Sequence, residues 1–115
     1  MGERMIFQAR QGDVLIQRVR SRAVSWTLLS NKSPLIIASG EATGHAHRVL
    51  PVRAHLSEGP AAQLFAQPDG RRFLVVDCDC ELRHDEHEPI GLAPGVYSVT
   101  LQREYEPEGS QYVVD

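Results

Sequence analysis

The feature that most constrains this chain is the spacing of its turn residues. Gly12-Asp13, Asn31 to Pro34, Gly40, Gly44, Gly59-Pro60, Pro68-Asp69-Gly70, Pro94-Gly95 and Pro107 punctuate it throughout, leaving mostly pieces of strand length. No piece carries a sustained apolar repeat of 3.6 residues with caps at both ends, so long amphipathic helices are excluded. Val14 to Val19, Leu35 to Ser39 and Phe73 to Val76 are short runs of apolar and β-branched residues. Residues 97–105 alternate, with Tyr97, Val99 and Leu101 on one face and Ser98, Thr100 and Gln102 on the other, the period of a half-buried strand. Gln63–Ala66 and Arg72–Val76 flank Pro68-Asp69-Gly70 as a hairpin. Helical turns are expected only over Ala23–Ser30 and Val52–Glu58, and Tyr112-Val113-Val114 can add an edge strand. The expectation is all-β: residues 1–115 form one small single-domain barrel or sandwich of about seven to nine short strands.

Composition narrows the function classes. The chain has 115 residues, 42% of them hydrophobic, which allows a core without disulfide or metal staples. A formal charge of −3 argues against a nucleic-acid binder held by bulk positive charge. There is no apolar run of membrane-spanning length and no apolar stretch of a secretory signal near the start, so a cytoplasmic location with no membrane partner is expected.

Four of the five histidines fall in two clusters, Gly44-His45-Ala46-His47 and His84-Asp85-Glu86-His87-Glu88. On an extended Thr43–Leu50, His45, His47 and Val49 share a face that looks inward. On a strand from Asp77 to His84, the residues Cys78, Cys80, Leu82 and His84 share one face, and Asp77, Asp79, Glu81 and Arg83 the other. His87 has the wrong parity for a straight strand. Only a turn at Asp85-Glu86 brings it beside His84. Two imidazoles two apart, joined by a second pair, are suited to one divalent cation at a Zn–N distance of about 2.0 Å. The expected site is therefore a metal centre of His45, His47 and one or both of His84 and His87, with Asp85 or Glu86 as a possible oxygen ligand. Mixed imidazole and carboxylate donors suit Zn, Mn, Fe or Ni.

The same residues support other readings. Paired imidazoles without metal can cleave a phosphodiester by general acid–base catalysis, with Arg48, Arg103 and Tyr105 holding the anion. A third possibility is a non-catalytic module that binds a protein partner or an anionic small molecule. The glycine-flanked turn Gly40-Glu41-Ala42-Thr43-Gly44 lacks a phosphate-loop lysine but delivers the chain to His45, where Glu41 can serve as base or ligand. Arg18, Arg20 and Arg22 follow a two-residue period and form a guanidinium row, whose structural reading is a charged edge strand able to support a homodimer. Cys78 and Cys80 lie near the far end of disulfide reach in an extended strand, which argues against a bond; they can join a histidine site as thiolates but read first as small buried hydrophobes.

Gln11-Gly12-Asp13-Val14-Leu15, Gly40-Glu41-Ala42-Thr43-Gly44-His45-Ala46-His47-Arg48, His84-Asp85-Glu86-His87-Glu88-Pro89-Ile90, Pro94-Gly95-Val96-Tyr97 and Gln102-Arg103-Glu104-Tyr105 together resemble a family of small uncharacterised bacterial proteins. The likeness spans most of the chain and implies a free-standing domain. His45-x-His47 and Pro94-Gly95 are also similar to the metal strand and second-motif turn of cupins, which are metal-binding β-barrels. No glutamate follows His47 at the cupin spacing and no histidine follows Gly95, so that likeness requires His84 or His87 to substitute. The functional expectation is metal-dependent hydrolysis of a phosphoester, nucleotide or nucleic acid. Glu86 or Glu41 would be the base, and Arg48 or Arg103 would neutralise the substrate.

Overall fold

The computed structural model describes residues 7–20, 25–39, 45–53 and 59–102, and their regular structure is entirely β. The strands are β1 (Gln8–Gln11), β2 (Val14–Val19), β3 (Thr27–Ser30), β4 (Leu35–Ser39), β5 (Ala46–Pro51), β6 (Ala62–Ala66), β7 (Arg72–Val76), β8 (Cys80–His84), β9 (His87–Leu92) and β10 (Gly95–Leu101). They form two antiparallel sheets, ordered β1-β2-β10-β7-β6-β3 and β4-β5-β8-β9. Both keep open edges among the described residues, so the domain is a two-layer sandwich and not a closed barrel of the kind a cupin likeness implies.

Alternation explains how the layers meet. Val14 and Ile16 of β2, Tyr97 and Val99 of β10, and Leu74 and Val76 of β7 face inward from the larger sheet. Leu35 and Ile37 of β4, Val49 of β5, and Cys80 and Leu82 of β8 meet them from the smaller one. Fully burying side chains such as Ile16 or Leu82, both 0% exposed, contributes about 1.5–3 kcal/mol each. The expected Pro68-Asp69-Gly70 hairpin is present between β6 and β7. Gly70 sits at φ +95° and the Asp69 carboxylate accepts the Arg71 N–H at 3.0 Å.

Two expectations are corrected. Thr27–Ser30 is a strand on β6 and not a helical turn, because pairing with Leu64, Phe65 and Ala66 supplies its hydrogen bonds. Trp26, stacked on Phe73 at 4.1 Å, anchors its entry. Arg18, within the described part of the expected Arg18–Arg22 edge, is not on a free edge: β2 lies between β1 and β10. Arg18 donates to the Pro94 carbonyl at 3.1 Å with its guanidinium over the Tyr97 ring, and Arg20 lies beyond the strand. Arg22, most of Val52–Glu58 and Tyr112-Val113-Val114 lie outside the described residues.

Candidate functional site

The two histidine clusters converge. Arg48 pairs with Arg83 across β5 and β8, and one further step of the same register sets His47 opposite His84. Asp85-Glu86 makes the two-residue turn that the sequence requires, and it places His84 directly opposite His87 on β9. Three neighbouring strands thus each carry one imidazole to the same end of the smaller sheet. The ring centroids lie 4.3 Å apart for His47–His84, 4.7 Å for His84–His87 and 6.2 Å for His47–His87. His45 stands on the other side of His84, 5.7 Å away by centroids, with Asp85 and Glu86 carboxylates each 3.5 Å from one of its ring nitrogens.

The larger sheet contributes two residues that sequence reasoning missed. Gly12-Asp13 is the turn between β1 and β2, with Gly12 in the left-handed region at φ +60°. This turn folds over the histidines so closely that a Cβ at Gly12 would lie 2.7 Å from His87 Nε2. Gln11, 2% exposed, reaches across the sandwich. Its Nε2 donates to the carbonyls of Leu82 and Glu88, each at 2.9 Å, at the irregularity where β8 and β9 lose register and Pro89 offers no N–H. With both amide protons committed, Oε1 is the acceptor facing His47 Nδ1 at 2.9 Å, so Nδ1 carries the proton.

That tautomer leaves a lone pair on His47 Nε2, which faces Asp13 Oδ1 at 3.4 Å. Burial, reinforced by His84 and His87 and only partly offset by Asp13, pushes the His47 pKa down to about 4, so the ring is neutral at pH 7. His84 has the opposite tautomer: the Glu86 N–H donates to its Nδ1 at 3.0 Å, which puts the proton of a neutral ring on Nε2. Among the described residues, no three His, Cys, Asp or Glu side chains already stand in a coordination geometry.

Beside the imidazoles lies an open depression of ≈ 270 Å³ lined by Arg48, Arg83, His84, Asp85, His87 and Pro89. Arg48 is 3.9 Å from Asp85, and Arg83 donates through Nε to Glu81 at 3.0 Å. Of the residues expected from sequence, His45, His47, His84, His87, Asp85, Glu86 and Arg48 come together. Glu41, Arg103 and Tyr105 lie outside the described residues. Cys80 belongs to the core and not to the site, with its thiol pushed up to about 12 by burial and the neighbouring Cys78. The signal that could have found Gln11 and Asp13 was the Gly12 turn itself, since a hairpin tip with an acid beside it can close over a facing sheet.

No curated protein and no solved structure is detectably similar to the chain. A family model described as "Domain of unknown function (DUF8820)" matches residues 10–102, a span that takes in Gln11, Asp13 and all four clustered histidines. The chain belongs to that family.

Proposed function

We propose that this protein is a divalent-metal-dependent hydrolase of phosphoesters, with His47, His84 and His87 as imidazole ligands and His45 at the rim of the centre. The observation that carries this reading is the row of three imidazoles at centroid separations of 4.3, 4.7 and 6.2 Å. Three histidines on one tetrahedral ion have ring centroids about 5 Å apart, from a metal–nitrogen distance of about 2.0 Å. His47 is already neutral at pH 7, so protons do not compete for its lone pair. Ligation by His84 exchanges its bond from the Glu86 N–H, at a cost of about 1 kcal/mol. A bound Zn, Mn, Fe or Ni ion would supply acidified water and polarisation of the phosphorus centre. Arg48 and Arg83, both lining the depression, neutralise the charge of a nucleotide-sized or smaller anionic ester. Glu86, beside His45, is the base. A cytoplasmic setting suits a chain whose two cysteines remain thiols.

Elemental analysis and metal titration of the purified chain test the ligand set, and turnover of a phosphoester panel with and without chelator tests the reaction. Stoichiometric metal with chelator-sensitive turnover is expected. Under one-tenth metal per chain with no affinity on titration overturns the reading, whereas metal binding without turnover leaves a binding module. A second reading rests on the opposite tautomers of His47 and His84: one offers a lone pair and the other an N–H, the arrangement of a metal-free acid–base pair. Turnover that survives chelation selects it. A base whose pKa lies at about 4 accepts protons weakly at pH 7, which ranks it second.

A further inference from the structure

We infer that Asp13 is a ligand of the same centre and that Gln11 is the positioning residue aiming His47 at it, so that a bound ion ties the two sheets together. This rests on the metal reading and extends it to the facing sheet. The geometry that points to it is a contact between two acceptors. Gln11 commits His47 to the Nδ1–H tautomer, and the remaining lone pair on Nε2 then faces a carboxylate oxygen at 3.4 Å. Such a pair repels unless a positive centre lies between its members. The distance exceeds the 2.7–3.2 Å of a good N–H···O hydrogen bond. It matches the edge between two ligand atoms on a tetrahedral ion, about 3.3 Å for bonds of about 2.0 Å.

Placement of the hairpin tip agrees. The Gly12 backbone packs against His87 Nε2 so tightly that a Cβ would lie 2.7 Å from it, which sets Asp13 next to a second imidazole of the centre. The Asp13 carbonyl accepts the Gln102 N–H at 2.7 Å, so the turn is held at its base by the end of β10. The buried Gln11 amide, bonded to two carbonyls of β8 and β9 as well as to His47, is the outer partner that fixes ring orientation and tautomer in histidine metal sites. The resulting donor set mixes imidazole with carboxylate and joins β5, β8 and β9 of one sheet to the β1–β2 turn of the other.

The test uses the full chain and Zn²⁺ as probe. Ring-nitrogen NMR of the chelator-treated protein at pH 7 is expected to show neutral His47 protonated at Nδ1. Gln11→Met should move that proton to Nε2, where Asp13 accepts it, a change that a merely structural glutamine would not produce. Zn²⁺ should raise the melting temperature of the wild-type chain. Asp13→Asn, a near-isosteric change at a half-buried turn position, should weaken Zn²⁺ at least tenfold and remove that gain. A doubly protonated His47 at pH 7, or equal Zn²⁺ affinity in wild type and Asp13→Asn, overturns the inference. Equal affinity with His47→Gln still impaired leaves the histidine centre standing. No Zn²⁺ uptake by the wild-type chain overturns both.

Discussion

His47 makes stability depend on pH in a direction and over a range that can be worked out. Its native pKa is pushed down to about 4 from an ordinary 6.5, chiefly by burial and then by its neighbouring histidines. The unfolded chain therefore binds a proton between these values that the native chain refuses. The stabilisation is complete above pH 6.5 and is lost as pH falls toward 4. From pH 7.5 to 4.5 this single group removes about 2.5 kcal/mol. That is a large share of the roughly 5–15 kcal/mol of a domain this size. Urea unfolding followed by Trp26 fluorescence at both pH values measures it, with chelator present so that metal linkage does not enter. Trp26 is the sole tryptophan and stacks on Phe73, so its signal reports the fold. His47→Gln keeps an amide N–H for Gln11 and has no proton to gain. It should show a pH dependence smaller by about 2.5 kcal/mol. An identical loss in both chains would refute burial of a neutral His47 as the origin.

The remaining predictions concern the facing hairpin, the depression and the core. Gly12→Ala forces a left-handed backbone onto a side chain whose Cβ meets His87 Nε2, and should cost at least 1–2 kcal/mol in chemical denaturation as well as weakening Zn²⁺ uptake. Gln11→Met leaves the Leu82 and Glu88 carbonyls without their donor, and denaturation should show a loss of roughly 2–4 kcal/mol. Arg83→Ala should raise KM for an anionic phosphoester several-fold while metal affinity, read by titration, stays unchanged. Leu82→Ala, at a fully buried site between the sheets, should lose about 2–5 kcal/mol.

Much of the site was legible because strand periodicity needs no tertiary information. Parity along residues 80–84 and 45–49 put His84 with Leu82 and His47 with Val49, and the parity mismatch at His87 demanded the turn that Asp85-Glu86 supplies. Less legible was β9, where Pro89 argues against a strand in sequence but is tolerated at an edge beside a register irregularity. Thr27–Ser30 was equally obscure, since four residues carry no decisive period and only pairing with β6 makes them a strand.

The amino-acid order by itself determined the β class, the inward faces and the two separate pairs His45-x-His47 and His84–His87, because these follow from local turns and a two-residue period; that the pairs meet depends on the long-range pairing of β5 with β8. Tertiary structure alone decided that the strands close as a sandwich, that Arg18 lies over Tyr97, and that Gln11 and Asp13 meet His47 from the opposite sheet. A contact between residues 36 positions apart depends on how two sheets stack. Side-chain packing across the whole core sets that stacking, and no local pattern encodes it.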